Sequence, residues 1–400
     1  MNVLLMSLLY PDEVYQEVAQ NSKTGMQNQI DSYQKAFWEG ISQCLSEGET
    51  LRAVNALPVG IFPIHYRKWL LPRAAYQNGQ ITEMGGINLP VIKQKIRQKR
   101  AEKALLSWAE ASPENRTVLV YTLYLPYLKA IAAVKKRIPD LKAAVIVTDL
   151  PNEYGLSSGR TGLLKRIEQR MGNEQLSLCR QMDGFVLLTQ PMAEVVPCEG
   201  KKTIVIEGLI REGTPVPAAE SRESPFEVLY TGTLSPELGI QELLDAFAAL
   251  PDARLRICGG GVMQQQVESF AKQYPNIVFE GFVPHEKALA LQAGADALIN
   301  PRSPAGLFTR YSFPSKTLEY MRSGKPVICY KLEGIPADYD PYLQYIPAPG
   351  ADGIRQAVEQ LQKLTPRQRS ELGQAALQYV LASKNPAAQC KRLVEWLRSL

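Results

Sequence analysis

Histidine is nearly absent from this chain, with two in 400 residues. Cysteine is also scarce: its six residues are scattered, without Cys-x-x-Cys or Cys/His ligand spacing. That scatter excludes a zinc ligand set of the usual kind and argues against a disulfide framework. We therefore expect reduced thiols in a cytoplasmic protein.

Long apolar runs and a strong excess of one charge are also lacking. No window reaches the 18 or so apolar residues that a membrane span needs. The first residues, MNVLLMSLLYPDEVY, have no basic stretch before the apolar run and no small-residue cleavage site after it, which predicts a buried strand rather than a signal peptide. A net charge of +5 argues against a nucleic-acid partner.

Apolar, β-branched runs that alternate with helical patterns dominate the chain. They include NVLLMSLL, TVLVYTL and AAVIVTDL early on, and FEVLYTGTL, RLRICGGG and DALINPR later. Continuous apolar strands between helices are typical of parallel sheets covered on both faces, so we predict an α/β chain with two doubly wound domains. The expected divisions are an N-terminal domain at 1–208, a linker at 209–224, a C-terminal domain at 225–384 and a C-terminal helix at 385–400 that returns to the first domain.

Ligands of such domains bind beyond the carboxyl ends of the strands, here in a cleft between the two domains. In YTGTLSPELGIQELLDAF, a strand that ends at Tyr230 is followed by Gly232 and Thr233, where a diphosphate can approach the backbone. An ordinary strand-to-helix turn is the alternative. In RICGGGVMQQQ the third glycine of G-x-G-x-x-G is replaced by Gln264, so a dinucleotide fingerprint is not supported.

A third corner, YSFPSKTLEYMRSGKPVICY, carries more polar chemistry. We expect Phe313 to end an extended segment and Pro314 to open a helix whose first turn contains Ser315 and Lys316. Lys316 suits a phosphate, and Glu319 can accept two hydrogen bonds from a ribose diol. The alternative is a helix with a solvated lysine and glutamate.

Together, YTGTL, ICGGG, GFVP, INPR and YSFPSKTLEYMRSGKPVI resemble the C-terminal domain of family-four retaining glycosyltransferases with the GT-B fold, most closely the branch of bacterial exopolysaccharide and capsule synthesis. The resemblance is specific over residues 225–345 and weaker, though colinear, in the first half. It implies a nucleotide-sugar donor, with UDP as the nucleotide, on the C-terminal domain and a glycan or lipid-linked acceptor on the N-terminal domain. It implies no cofactor and no metal.

Carried over position by position, the resemblance implies that Glu319 binds the donor ribose. The other implied donor residues are Gly232, Thr233, Phe282, Val283, Ser315 and Lys316. Three positions depart from the family pattern: Tyr311 stands where a glutamate contacts the donor sugar, and Thr233 and Leu238 replace the usual Arg and Lys. We therefore shift the phosphate role towards Lys316, with Arg302 and Arg310 as further candidates.

Chemistry on the acceptor side has weaker signals. Asp149 lies at the end of the stretch AAVIVTDL and is, with Lys316, our candidate catalytic residue, although a helix or turn cap is an equal alternative for it. Gly25, Gln27 and Asn28 are expected in a loop that lines the acceptor site, or in a plain loop and helix cap. Neither histidine is favoured as a catalyst. The Asp338–Asp340 pair has a metal-binding spacing, but an Asp/Pro turn is favoured.

Residues 91–108 combine six basic side chains with Val91, Ile92 and Trp108. A basic amphipathic helix can lie on an anionic leaflet, which would suit a lipid-linked acceptor, whereas a solvated helix packed on the sheet is the default. For the whole chain we favour a retaining glycosyltransferase of cell-surface polysaccharide assembly. A catalytically silent GT-B partner protein is the alternative, and a nucleotide-sugar epimerase ranks below both.

Overall fold

The computed structural model describes residues 1–112, 114–152, 161–211 and 225–400. The chain divides into two compact units. The N-terminal unit comprises Met1–Leu209 and Pro386–Leu400, and the C-terminal unit comprises Ile210–Asn385. Most of the expected linker, residues 212–224, lies outside the described residues.

The N-terminal unit is built on an eight-stranded sheet with the order β10-β9-β8-β7-β1-β2-β5-β4. All its neighbours are parallel except β4 and β5. Its strands are β1 (Asn2–Ser7), β2 (Thr50–Asn55), β4 (Ala74–Tyr76), β5 (Ile81–Glu83), β7 (Arg116–Tyr121), β8 (Lys142–Val147), β9 (Gly184–Leu187) and β10 (Lys202–Val205). A separate antiparallel pair joins β3 (Leu70–Leu71) to β6 (Gly86–Ile87). The described helices are α1 (Tyr15–Asn21), α2 (Asn28–Cys44), α3 (Ile92–Ala111), α4 (Leu125–Lys135), α5 (Gly162–Cys179) and α13 (Pro386–Arg398).

The central strands are buried on both faces, as their unbroken apolar sequences predict. Val3, Leu119 and Ile146 lie in one core cluster with Phe37 of α2 and Leu393 of α13. Helix α13 lies so close to α2 that only glycine fits at position 40. A Cβ on Gly40 would stand 2.4 Å from the Pro386 carbonyl oxygen. The prediction that the C-terminal helix returns to the first domain is therefore confirmed.

The C-terminal unit contains a six-stranded parallel sheet with the order β13-β12-β11-β14-β15-β16. Its strands are β11 (Phe226–Thr233), β12 (Ala253–Gly260), β13 (Ile277–Gly281), β14 (Ala297–Asn300), β15 (Val327–Cys329) and β16 (Gln344–Tyr345). Its helices are α6 (Ile240–Ala248), α7 (Gln264–Gln273), α8 (His285–Gly294), α9 (Leu307–Tyr311), α10 (Ser315–Met321), α11 (Ala351–Gln362) and α12 (Pro366–Ser383). The prediction of doubly wound α/β domains is confirmed in both units.

Local sequence signals account for several element ends. Helix α12 begins with a capping box, in which the Thr365 hydroxyl accepts from Gln368 N and Pro366 occupies the first turn. Helix α6 buries Ile240, Leu243 and Phe247 at helical spacing. No described helix has both the length and the apolar character needed to cross a membrane.

Candidate functional site

The order of the C-terminal sheet reverses between β11 and β14, because the chain winds from β11 outward to β13 and then crosses to β14. Ligands of doubly wound sheets bind outside the carboxyl ends of the strands at such a reversal. Here those ends are Thr233 of β11 and Asn300 of β14. The geometry of the sheet alone therefore marks this edge as the binding region of the unit.

Backbone segments approach one another unusually closely at this edge. Gly239, with φ of 75°, begins α6, and a Cβ on it would stand 2.1 Å from the Pro301 carbonyl oxygen beyond β14. Gly259, with φ of 144°, would place a Cβ 1.8 Å from the Gly232 oxygen. Only glycine fits at either position, so the loops at the strand ends are held tightly.

Gly232 and Thr233 differ from the sequence expectation. The strand does not end at Tyr230 but continues to Thr233, and Gly232 pairs with Gly259 in the sheet. The turn begins only at Leu234, whose N donates to Gly260 O. Because β12 extends to Gly260 and supplies hydrogen-bond partners, Gly232 and Thr233 form the last pairs of β11. Thr233 is exposed at the end of the strand.

The corner at residues 311–319 also differs in detail. Residues 307–311 form the short helix α9 rather than an extended segment, and Pro314 is the N-cap of α10 instead of its first helical residue. Tyr311 is buried and Ser315 is exposed. Helix α10 has seven residues, so few peptide dipoles are aligned behind its N-terminus. Lys316 therefore supplies the positive charge at this corner.

Lys316 and Glu319 form an ion pair one turn apart on α10. The Lys316 Nζ lies 3.0 Å from both carboxylate oxygens of Glu319, and both side chains are partly exposed. Glu319 Oε1 also accepts from Gln292 Nε2 of α8 at 2.8 Å. The predicted phosphate ligand and the predicted ribose ligand are thus adjacent, and a second helix orients the carboxylate.

A buried polar network connects this pair to the sheet. Gln292 Nε2 also lies 3.3 Å from the Thr231 hydroxyl. The hydroxyl of Tyr320 accepts from Thr231 N at 2.8 Å and donates to Thr231 O at 2.9 Å. Asn300 Nδ2 donates to the Thr317 hydroxyl across from β14. Helix α10 is therefore fixed to both strands that border the reversal, which orients Glu319. Sequence reasoning missed Gln292 and Tyr320, which carry no motif.

The two arginine candidates have different surroundings. Arg302 is buried, stacks on the Phe308 ring at 4.4 Å and donates to the Ser312 hydroxyl. Burial lowers its pKa to about 10. Arg310 pairs with Glu333 at 3.0 Å. Arg302 is thus held beneath the corner and Arg310 is paired with Glu333, whereas Lys316 lies beside Glu319, the predicted ribose ligand.

Phe282 and Val283 follow β13 at the same edge of the sheet. The Phe282 side chain is 88% exposed, and Val262, which follows β12, is 84% exposed. Large apolar side chains at such exposure offer a flat surface on which a ring can stack. Glu280, by contrast, pairs with Arg256 and with Lys287 at 3.3 Å, so its carboxylate already has cationic partners.

Asp338 and Asp340 do not converge on a common point. Asp338 pairs with Lys384 at 3.0 Å and accepts from the Tyr379 hydroxyl, whereas Asp340 pairs with Lys331 and accepts from the Tyr345 hydroxyl. The segment forms a short 3-10 helix, Ala337–Tyr342. No cluster of three metal-ligating side chains occurs in the described ranges.

The N-terminal unit has a pocket of about 320 Å³. Its sheet order reverses between β1 and β7, and the pocket lies there, between Leu8 after β1, Val59 after β2 and Tyr124 after β7. Val91 borders it as the central residue of a γ-turn, with φ of 61°, in which Ile92 N donates to Pro90 O at 2.6 Å. Such strain in a β-branched residue costs roughly 1 to 3 kcal/mol.

Two cationic side chains of α3 line this pocket. Lys93 is 7% exposed and donates to Val59 O, and Arg97 is 5% exposed and donates to Leu57 O and the Tyr124 hydroxyl. Burial, reinforced by Arg97, lowers the pKa of Lys93 to about 7. These positions were expected to face outward, and that expectation is wrong.

Glu83, at the end of β5, is the buried carboxylate near this cluster. It accepts from Asn55 Nδ2 at 2.8 Å, Leu57 N at 3.2 Å and Gly85 N at 3.0 Å. Burial raises its pKa to about 7, although Arg97 opposes that shift. The net charge of Glu83, Lys93 and Arg97 together is therefore positive whenever Glu83 is protonated.

The remaining acceptor-side candidates are spread around this edge. Gln27 lines the pocket and is the N-cap of α2. Asn28 accepts from the Tyr15 hydroxyl at 3.0 Å, and Gly25 is exposed. Gly25 and Gln27 lie in a loop after α1, a helix that the sequence analysis did not predict, whereas Asn28 is the first residue of α2 and not part of the loop. Asp149 follows β8 and is exposed, outside the residues that line the pocket.

Comparison with known proteins bears on both units. Residues 216–378 match the model of the family described as glycosyl transferases group 1. A glycogen synthase of Mycobacterium tuberculosis is 28% identical over 175 residues, which cover 40% of each protein. The matched part thus spans well under half of that relative.

The solved structures that align over the whole chain include two with a TM-score of 0.64. One is sucrose-phosphate synthase from Thermosynechococcus elongatus, with a TM-score of 0.64, 15% identity, and coverage of 100% of this chain and 99% of that one. The other, described as trehalose-6-phosphate from E. coli bound with UDP-2-fluoro glucose, has a TM-score of 0.64, 9% identity and the same coverage. At these identities the comparison shows a shared fold.

Proposed function

We propose that this chain, which has the GT-B fold and carries a group 1 glycosyltransferase domain over residues 216–378, transfers a sugar from a nucleotide-sugar donor to a glycan or lipid-linked acceptor. The observation that carries the proposal is the Lys316–Glu319 pair at the reversal of the C-terminal sheet. A ribose-binding carboxylate beside a phosphate-binding cation matches the two halves of a nucleoside diphosphate.

The chemistry required of the C-terminal unit is modest. As the bond between the sugar and the diphosphate breaks, negative charge develops on the departing diphosphate, and Lys316 can neutralise it. The acceptor hydroxyl forms the new glycosidic bond and loses its proton. Exposed Asp149 is our candidate for the base that accepts that proton. The motifs shared with the exopolysaccharide and capsule branch support a retaining enzyme that uses a UDP-sugar.

UDP as the nucleotide has support from a similar fold, since a structure with this architecture is described as bound with UDP-2-fluoro glucose. Exposed Phe282 and Val262 lie at the ends of neighbouring strands, where a base ring can pack. No described residue cluster suits a resident metal, and the proposal invokes no cofactor.

Membrane contact is kept as a proposal, with the exposed part of the segment first expected and with further residues from 64–73. Two segments that hydrogen-bond to each other, through Asn88 N to Trp69 O at 2.7 Å, expose an apolar rim. We define the apolar rim as Ile64, Trp69, Leu70, Val91 and Ile92. Exposed cations accompany it, namely Arg67, Arg73, Lys95 and Lys99. Apolar side chains among cations suit an anionic leaflet.

A silent GT-B partner protein is the second candidate, because Tyr311 is buried where the resembling family has a sugar-binding glutamate. An epimerase is less favoured, since the N-terminal pocket has no carboxylate among its described lining residues. Turnover separates the first two candidates.

The test is sugar transfer from a panel of UDP-sugars to lipid-linked and soluble glycans, followed by mass spectrometry of the products. Lys316→Gln is the variant, and Lys363→Gln, at the C-cap of α11, is the control. We expect transfer by the wild type and the control but not by Lys316→Gln. UDP binding without any transfer would favour the silent partner, and absence of both would overturn the proposal.

A further inference from the structure

We propose that the N-terminal pocket is a binding site for a phosphoryl group, held by Lys93 and Arg97. This proposal extends the proposed function. It rests on that function only where it identifies the ligand as part of the acceptor. The site follows from the burial, charge and arrangement of residues within one unit.

Lys93 and Arg97 are more than nine-tenths buried, and they occupy successive turns of α3. A buried cation is costly unless it is paired with an anion. Neither residue forms a salt bridge within the described parts of the chain, and their observed acceptors are the carbonyl oxygens of Val59 and Leu57 and the hydroxyl of Tyr124. The two cations therefore lack an anion.

Glu83 does not supply it. Its two oxygens are occupied by the amide of Asn55 and the backbone N–H groups of Leu57 and Gly85. With a pKa raised to about 7, it is partly protonated at neutral pH. At most it compensates one of the two positive charges that the pair carries when Lys93 is protonated.

The space beside the cations fits a ligand. The pocket of about 320 Å³ has a size typical of small-molecule sites, and Gln27, Gln94 and Tyr124 add polar groups to its wall. An arginine fork beside an ammonium point charge suits a phosphoryl group, which accepts several hydrogen bonds and carries up to two negative charges. A monoanionic carboxylate would leave one cation uncompensated.

A phosphoryl group can come from a soluble sugar phosphate or from a lipid headgroup. The pocket and the apolar rim share Val91, so a lipid phosphate could enter with its chain along the rim. The experiment has separate arms for the two sources.

The test is chemical labelling of lysines in the full-length wild-type protein at pH 7.5, read by mass spectrometry at three sites. Lys93 reports the pocket, exposed Lys103 on the same helix is the control, and Lys316 reports the donor site. Probes are inorganic pyrophosphate, glycerol 3-phosphate, vesicles of phosphatidic acid and vesicles of phosphatidylcholine. We expect pyrophosphate to reduce Lys93 labelling several-fold and to leave Lys103 unchanged.

Protection of Lys93 by glycerol 3-phosphate would assign the site to soluble esters, whereas protection by phosphatidic acid vesicles alone would assign it to lipid headgroups. Equal Lys93 labelling under all four conditions would overturn the proposal. Because the wild type is used, a folding defect cannot imitate the result.

A variant adds a second readout. Arg97→Lys keeps the charge but loses the fork, and we expect several-fold weaker protection of Lys93 by pyrophosphate. Lys103→Gln should leave protection unchanged. Protection of Lys93 in a protein that fails to bind UDP would reject the proposed function while leaving this site in place, so the two failures are distinguishable.

Discussion

The Nζ of Lys316 lies 3.0 Å from each carboxylate oxygen of Glu319. The two residues that would bind the diphosphate and the ribose therefore satisfy each other in the unliganded protein. A bound nucleotide must either break this ion pair or bind both residues while they stay paired. Its phosphate attracts the lysine, and its ribose hydroxyls donate to the glutamate. This pairing keeps both charges compensated at a partly exposed edge.

Lys316→Gln should weaken UDP binding by about 1.5 to 3 kcal/mol, the range for a hydrogen bond to a charged group. Uridine, which has no phosphate, should bind as well as before, because Glu319 remains and is no longer paired with the lysine. Calorimetric titration with both ligands measures this. An equal loss for UDP and uridine would show that Lys316 acts through the fold instead of the phosphate.

Gln292→Met removes the amide that joins Glu319 to Thr231 while conserving volume. We expect UDP affinity to fall by about 0.5 to 1.5 kcal/mol, because the Glu319 carboxylate loses the hydrogen bond from an uncharged amide that orients it. Gln389→Met, at another buried glutamine but on α13, is the matched control. If both variants bind UDP like the wild type, the orienting role of Gln292 is rejected.

Stability should depend on pH through Lys93 and Glu83. The folded pKa of Lys93 is about 7 against an ordinary 10.5, so between these values the unfolded chain binds more protons and stability rises with pH. Glu83, at about 7 against 4.5, holds its proton in the folded state, so stability falls as pH rises from 4.5 to 7.

Chemical denaturation from pH 5 to 10 tests both limbs. Lys93→Met should remove the rise above pH 7, whose slope is at most about 1.4 kcal/mol per pH unit. Glu83→Gln should remove the fall below it. Identical pH dependence in the variants and the wild type would contradict the burial of these charges.

Val91→Gly separates strain from surface chemistry. Glycine tolerates the positive φ, so stability should stay equal or rise by up to about 1 kcal/mol, while loss of an apolar side chain should weaken binding to phosphatidylglycerol vesicles by up to about tenfold. Vesicle co-sedimentation and thermal unfolding are the measurements. Val262→Ala, which removes another exposed valine outside the rim, should leave binding unchanged. Undiminished binding of Val91→Gly would exclude Val91 from the membrane contact.

The fold was largely predictable because the strands of both sheets are continuous apolar runs between helical patterns. The C-terminal helix was predictable too, since Leu393 and Leu397 share an apolar face that needs a partner. The short helices α1 and α9 were not, because neither has a distinctive cap or an apolar period.

Part of the N-terminal site could have been found. Lys93, Arg97, Ala101 and Leu105 recur every four residues, so both cations lie on the helical face that Trp108 shares. The assumption that lysine and arginine side chains face solvent hid this arrangement of Lys93 and Arg97. Gln292 and Tyr320 had no such signal, since only the packing of α8 and α10 on β11 brings them to Thr231. The binding roles of Glu319 and the other candidate residues stay predictions.

The central claim is that Glu319 holds the ribose of a nucleoside diphosphate. Titration of UDP, GDP and ADP into the wild type, Glu319→Ala and the control Glu371→Ala tests it most directly. We predict that UDP binds the wild type and the control, and that Glu319→Ala loses about 1.5 to 3 kcal/mol. A folded Glu319→Ala protein with unchanged UDP affinity would contradict the account.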